Sequence, residues 1–544
     1  MQWRSELFKM DLLQNKIKEN VYAMDTLLNN FNTLVNGVIT GFDRILFKGI
    51  IRPIMHAAGM ESLLVARGVK NKDFKNYAIK QSKAIIESAE KISMEQCGRE
   101  INYIPSVNVR KETLAHEVQK ANGIKEGLIG VWSCVESCNT FKSTFDPKRS
   151  LPSLRFERSK CKHIYFYFDD TTYGFMNVRL QTWLPYEIQI ALNGREWLRR
   201  SLDAAGCGYL LDGNKFLHID DYELAQKILD EQAKTDFNKV LKGILPSVFP
   251  RMKEIAGPGL SYYWTFWQSE IAKDYIFKSS DSLDSLMDDM LIYALVTGTG
   301  ERILKYFGKP VKADGQPHHM ASPEIKSGAK TWYNGLRVRH WLNNNSVKYY
   351  NEHNVLRFEM TMNNPSDFKT YRHSEKQDKS EPKKIMNIRK GVADTYARYQ
   401  ESKNVVDRFS EHMAAIEEKS RLEELLTLIS SPIKSDGKKY RSLDPFGKDM
   451  ELLRVISDPV FDVSSITNKE LQKTLAGTAW AKKMSGKQLS ARISRHLLLL
   501  RKHGLIRKLP KQRKYALTDK GRKLTAALNA ALSASVNDLL KTAI

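Results

Sequence analysis

Four carboxylates stand out for where the sequence puts them. Asp43 lies in Gly41-Phe42-Asp43, at a bend within an extended segment, and Glu359 lies inside the run Val355-Leu356-Arg357-Phe358-Glu359-Met360-Thr361-Met362. Asp169 and Asp170 follow the aromatic run His163-Ile164-Tyr165-Phe166-Tyr167-Phe168. Acids delivered from separate strands can hold Mg²⁺ and drive in-line attack on a phosphate ester. Asp169-Asp170 also occupies a turn position, where Asp serves the local backbone. A second constellation is Cys134-x-x-x-Cys138 followed by Cys161-x-His163. Two soft pairs separated by about twenty residues could close a tetrahedral zinc site, although free cysteines are also ordinary core residues.

A third set is the hairpin formed by Asn345 to Tyr350 and Val355 to Met362. Leu356, Phe358, Met360 and Met362 alternate toward a core, while Arg357, Glu359 and Thr361 point the other way. With a turn at Asn351 to Asn354, Lys348 falls opposite Arg357. Such a like-charge pair is relieved by an anion between the two; Glu359 could supply it diagonally and so could a phosphate, which makes Lys348 and Arg357 candidate nucleic-acid contacts. The segment resembles a strand pair in plasmid and phage rolling-circle replication initiators. That resemblance implies DNA nicking by a tyrosine, here Tyr349 or Tyr350. The histidine-hydrophobe-histidine metal motif of those proteins is absent, and His218-Ile219-Asp220 is its nearest match. The aromatic cluster Tyr262-Tyr263-Trp264-Thr265-Phe266-Trp267 could stack unpaired bases, but core packing is its commoner use. Gly298-Thr299-Gly300 lacks the Lys-Ser/Thr of a phosphate loop and reads as a turn.

The charge has a location. Lys and Arg outnumber Asp and Glu by 86 to 62, a net +24. Between 481 and 523 there are fifteen Lys or Arg and one acid, Asp519, so +14 sits there and +10 is left for the rest. Such a surplus suits an anionic partner. The same region spells out its elements. Thr467 with Glu470 has capping-box spacing, and Leu489, Ile493, Leu497 and Leu500 form one stripe of a helix that begins at Ser485 and that Gly504 ends. A basic hairpin follows, and Thr518 opens a closing helix. The motif Arg495-x-Leu497-x-x-Leu500-x-x-x-Gly504-Leu505-Ile506-Arg507, then Tyr515-x-Leu517-Thr518-x-x-Gly521, resembles the winged-helix domains of MarR-like bacterial regulators. The resemblance implies that Lys487, Gln488, Arg492 and Arg495 face a major groove and that Arg507, Lys508, Lys511, Arg513 and Lys514 meet phosphates from the wing.

The elements that must position these groups read as an α+β multidomain chain. Residues 5–31, 58–96 and 110–121 have helical spacing, and 126–133 and 162–193 are strand-rich. Asn193 caps a short helix ending near Gly206, helices cover 220–244 and 267–308, and 346–362 is a hairpin. We therefore expect a mixed body of helices and antiparallel hairpins (1–125 and 126–371), a linker at 372–383, a helical connector at 384–430 and a winged helix at 446–544. No internal repeat is evident. No run of about 18 apolar residues exists, which predicts no membrane span. The start Met1-Gln2-Trp3-Arg4 carries no apolar stretch, and five sparse cysteines suit a reducing cytoplasm. The expected function is nucleic-acid binding, duplex DNA favoured and RNA contact by the body possible. The alternatives are a metal-dependent nuclease, transposase or replication initiator of a mobile element, and a transcriptional regulator. Structural zinc and catalytic magnesium are the cofactors these readings allow.

Overall fold

The computed structural model describes residues 25–309, 324–332, 335–373, 382–417, 422–458, 461, 465–481, 484–509 and 513–535. Most of the helix expected over 5–31 lies outside the described residues, which begin with a short helix at Thr26–Asn30. The β-branched and aromatic runs do form strands, and one sheet gathers them. Its strands are β1 (Val35–Ile50), β2 (Asn102–Ile104), β3 (Gly127–Asp146), β4 (Leu151–Asp170), β5 (Gly174–Gln181) and β6 (Ile188–Asn193). A separate small hairpin, β7 (Tyr209–Asp212) and β8 (Lys215–Ile219), precedes β9 (Tyr263–Phe277), β10 (Ile325–Trp332), β11 (Gly335–Leu342), β12 (Asn345–Glu352) and β13 (Val355–Met362). The order across the 11-stranded sheet is β10-β11-β12-β13-β9-β1-β6-β5-β4-β3-β2, and β2 alone runs parallel to its neighbour.

That order repeats a plan. β1 leads through helices into the meander β3 to β6, and β6 returns beside β1. β9 leads through the helices Ser280–Thr297 and Gly300–Tyr306 into the meander β10 to β13, and β13 returns beside β9. The two leading strands pair antiparallel at the centre, Phe42 opposite Ile271. A sequence with no evident repeat thus builds a two-unit topology.

One face of the sheet buries its apolar side chains under helices. Phe74–Cys97 and Phe237–Val248 cover the first unit, and Ser280–Thr297 and Thr395–Met413 cover the second through Val405, Val406, Phe409 and Met413. The opposite face carries two smaller cores. Helices Gly194–Ala205 and Tyr222–Gln232 sit over Ile39, Ile276 and Val355, while helix Lys111–Ala121 sits over Trp132, Tyr165 and Tyr167. Polar side chains are left on the sheet floor between these two cores.

A separate core holds the C-terminal elements. Helices Met450–Ile456, Asn468–Leu475 and Gly486–Lys502 are followed by the antiparallel pair Ile506–Lys508 and Tyr515–Leu517 and by the closing helix Asp519–Ser533. The caps fall where the sequence puts them: Thr467 accepts from Glu470 N, Ser485 and Gln488 complete a capping box, and Gly504 takes φ +74. The bound on membranes is narrow: no helix among the described residues is long and apolar enough to cross one.

Four expectations are corrected. Residues 263–277, read as aromatic cluster then helix, form strand β9, and Trp264 and Phe266 within it, with Tyr262 just before it, are buried in the core. The 384–430 connector is not one helix: Lys384–Asn387 pairs with Lys369–Arg372 as a hairpin, and helix Thr395–Met413 belongs to the body. The arms Arg372 and Lys384 are partners across that hairpin, so 372–383 joins strands rather than domains. Last, β3 and β4 extend through 134–161 as one long hairpin.

Burial holds the imidazoles of His163 and His340 neutral, with pKa values pushed down to about 4, and His412 is likewise held low by burial. In the unfolded chain they titrate near 6.5. Their neutral burial therefore contributes stability in full above about pH 6.5, and that contribution is lost as pH falls toward 4. Urea midpoints should drop between pH 7 and pH 5, and His340→Phe should flatten the drop; an unchanged slope in that variant would refute the assignment.

Candidate active site and nucleic-acid interface

Three acids meet on the polar floor. Asp43 of β1, Glu270 of β9 and Glu359 of β13 each place a carboxylate oxygen so that all lie within 4.8 Å of one another. Register explains the meeting. Glu359 pairs with Ala272 and Thr361 with Glu270, so the two glutamates are diagonal neighbours on one face. The β1–β9 ladder slips between Phe42 and Ile45, and this irregularity turns Asp43 toward them. Among the described residues no other group of three His, Cys, Asp or Glu side chains comes this close.

Their surroundings differ. Burial works against the charge of Asp43, but Arg357, Arg195 and Lys215 outweigh it and hold the carboxyl below its ordinary range. Arg357 Nη1 lies 3.1 Å from Asp43, and Asn214 donates its amide to the same carboxylate. Glu359 is buried and pairs with Lys348 at 2.8 Å. Glu270 is pushed up to about 8 by burial and by the two nearby carboxylates. Three hard oxygen donors that repel one another suit a Mg²⁺ or Mn²⁺ ion better than any softer metal.

A tyrosine stands at the edge of this trio. The Tyr350 hydroxyl is 3.4 Å from Glu359 Oε2, and its ring lies between Lys348 and Lys215, whose ammoniums are 5.2 and 5.5 Å from the ring centroid. Tyr349 points to the opposite face and packs against Phe358 and Phe409. Of the two neighbouring tyrosines, only Tyr350 faces the acids.

The hairpin register also differs from expectation. β12 and β13 turn through two residues, with His353 at φ +54, so Lys348 is opposite Glu359 and Tyr350 opposite Arg357. The like-charge pair does not form. Arg357 is fully buried in a two-point contact with Asp274 at 2.6 and 2.8 Å, which makes it a structural cation and not an open phosphate contact.

Asp169 and Asp170 stand apart from the trio. Asp169 is paired with Arg200 and accepts from Gln119 at 2.7 Å, and Asp170 caps the turn through the amides of Thr172 and Tyr173. The turn role prevails for Asp170, while Asp169 ties strand β4 to Arg200 and Gln119. Cys134, Cys138, Cys161 and His163 share one face of the β3–β4 pair, with Cys134 directly opposite His163. All four are buried, but they are not gathered within the 4.8 Å that unites the acids. Sequence reading missed Glu270, Asp274, Asn214 and Lys215. Only Gln268-Ser269-Glu270 and Lys273-Asp274, polar residues inside an otherwise aromatic run, signalled the first two.

In the C-terminal domain Lys487, Arg495, Arg507, Lys508, Arg513 and Lys514 are exposed. Gln488 is exposed too, but its side chain serves the capping box. Arg492 is turned inward, donating to Trp480 O at 2.9 Å with its guanidinium over the Trp480 ring. Lys511 lies outside the described residues.

No protein-family model, curated protein or solved structure matches the chain.

An ion held by the trio needs Glu270 ionised, so binding must expel its proton. Mn²⁺ affinity, measured by calorimetry, should rise about tenfold per pH unit up to about pH 8 and level off above it. A flat profile from pH 6 to 8 would show that Glu270 is not a ligand.

Proposed function

We propose that the chain is a metal-dependent DNA-cleaving enzyme that forms a tyrosyl–DNA intermediate, of the kind that initiates replication or moves mobile DNA. The observation that carries this reading is the Tyr350 hydroxyl beside Glu359, at the rim of three acids drawn from three strands. A divalent ion there would polarise the phosphate and stabilise charge developing on it. Tyr350 Oη attacks phosphorus, Glu359 accepts the phenolic proton, and the bond to one strand end breaks. That end leaves as a hydroxyl after taking a proton from solvent, and the other end stays linked to Tyr350. Covalent attachment keeps the energy of the broken bond available for rejoining.

The second module is the basic C-terminal domain, read as a winged helix. Three helices, a two-stranded hairpin and a closing helix support that reading, as do the exposed Lys487 and Arg495 on the third helix and Arg507, Lys508, Arg513 and Lys514 on the hairpin. Its task is to hold duplex DNA near the cleavage site, and each phosphate it neutralises steepens the salt dependence.

Purified protein incubated with supercoiled DNA and Mn²⁺ should yield nicked circles and a protein–DNA adduct that survives detergent. Tyr350→Phe should abolish the adduct and Tyr349→Phe should keep it. Asp43→Ala, Glu270→Gln or Glu359→Ala should lower cleavage by at least about a hundredfold while duplex binding persists. Metal-dependent cutting that survives both Asp43→Ala and Glu359→Ala would end this assignment.

A further inference from the structure

The β7–β8 hairpin lies outside the large sheet, yet its tip reaches the acids. Its apolar side chains, Phe216 and Ile219, are buried with Leu198, Leu202 and Leu229. Its polar end is fastened to the turn of the β12–β13 hairpin, the one that carries Tyr350. Asp212 pairs with His353 at 2.9 Å, Lys215 with Glu352 at 3.0 Å, and Asn354 donates to Leu217 O at 2.9 Å. Arg357 Nη2 donates to Asn214 O at 3.1 Å. The two-residue turn Gly213-Asn214, with Gly213 at φ +55, is what lets the tip present successive polar side chains to the floor.

Two of those side chains are unusual for a purely structural turn. Asn214 donates its amide to Asp43, while its own amide oxygen is buried with no hydrogen-bond partner among the described residues. A buried acceptor left unpaired costs stability unless something completes it. Lys215 is 7% exposed, and its ammonium sits over the Tyr350 ring. Burying a cation here is unfavourable unless anions compensate; Lys215 has Glu352 in its ion pair and the Asp43 charge nearby.

We propose that the β7–β8 tip belongs to the catalytic machinery: Asn214 orients Asp43 for the metal and Lys215 receives the scissile phosphate beside Tyr350. This rests on the reading of Tyr350 and the three acids as a phosphodiester-cleaving site. Asn214 is then a positioning residue, and Lys215 a catalytic one because it touches the substrate. Phosphate would enter between Lys215 and Lys348, the two ammoniums already flanking the tyrosine.

The test uses the full chain in the Tyr350→Phe background, so that nothing is cleaved. Asn214→Ala should weaken Mn²⁺ binding about tenfold, as loss of a ligand-orienting partner does. Asn214→Ser, which keeps a donor, should recover most of it, with the thermal midpoint unchanged in both. Lys215→Met should leave Mn²⁺ binding intact, weaken binding of a DNA oligonucleotide about tenfold and lower its salt slope by about one. Lys215→Arg should restore both. Oligonucleotide binding unaffected by Lys215→Met, or Mn²⁺ binding unaffected by Asn214→Ala, overturns the proposal. If the wild-type chain cuts no DNA while both variants behave as expected, the hairpin's role at the metal and phosphate stands, and it is the cleavage reading that fails.

Discussion

The centre of the molecule depends on one buried guanidinium. Arg357 of β13 grips Asp274 of β9 through two nitrogens, reaches Asp43 of β1 with a third contact, and holds the carbonyl of Asn214 in the β7–β8 tip. Arg195, at the start of the helix after β6, reaches the same Asp274 at 2.9 Å. Removing one partner from a buried ion pair typically costs about 3–5 kcal/mol, because the remaining charge cannot find water. The cluster therefore fixes the spacing of three strands and a hairpin at once. Asp43 can stay ionised in a buried place because this cation is beside it, and the rest of the site is arranged around Asp43.

The topology explains why the site lies where it does. Each unit begins with a strand that its own meander later flanks, and the two leading strands meet at the molecular centre. A group on β1 and a group on β9 are thereby neighbours although more than two hundred residues separate them in the chain. Neither unit alone contains the trio: Asp43 comes from the first, and Glu270 and Glu359 come from the second. The ladder slip at Phe42–Ile45 sits on this seam, and such irregularities re-aim side chains that a regular strand would point elsewhere.

The readable parts of the sequence were those where one physical rule acts alone. Helix caps at Thr467, Ser485 and Thr518 and the αL stops at Gly206 and Gly504 are local, and they were legible to the residue. Asp43 and Glu359 were legible because each interrupts an apolar strand. Glu270 was not, since it shares β9 with Gln268, Lys273 and Asp274, and so many polar residues on one strand hide its alternation. Lys273 faces the other side of the sheet, paired with Asp25 and Asp407, so polar residues on both faces blur the pattern that would have revealed the strand. The turn at His353 misled for a different reason. A non-glycine residue at positive φ shortens the loop, and shortening it changes every cross-strand partner, which put Glu359 and not Arg357 beside Lys348. Asn214 and Lys215 carried no signal at all, because their importance comes only from where the hairpin docks.

The charge balance of the floor ties metal to substrate. Without an ion, Lys348 neutralises Glu359 and the two glutamates avoid a full double charge by keeping Glu270 protonated. A divalent ion shared by the trio would take over both roles, leaving the Lys348 ammonium without its acid, while Lys215 keeps Glu352. A phosphate diester would be a natural counter-charge for Lys348, so on the proposed function ion and DNA should each favour the other's binding by the same factor. On the proposed function, the basic C-terminal domain would concentrate duplex but would not discriminate a productive phosphate from any other. Selection would then fall to the floor, where the ion frees Lys348 from Glu359 for an incoming anion.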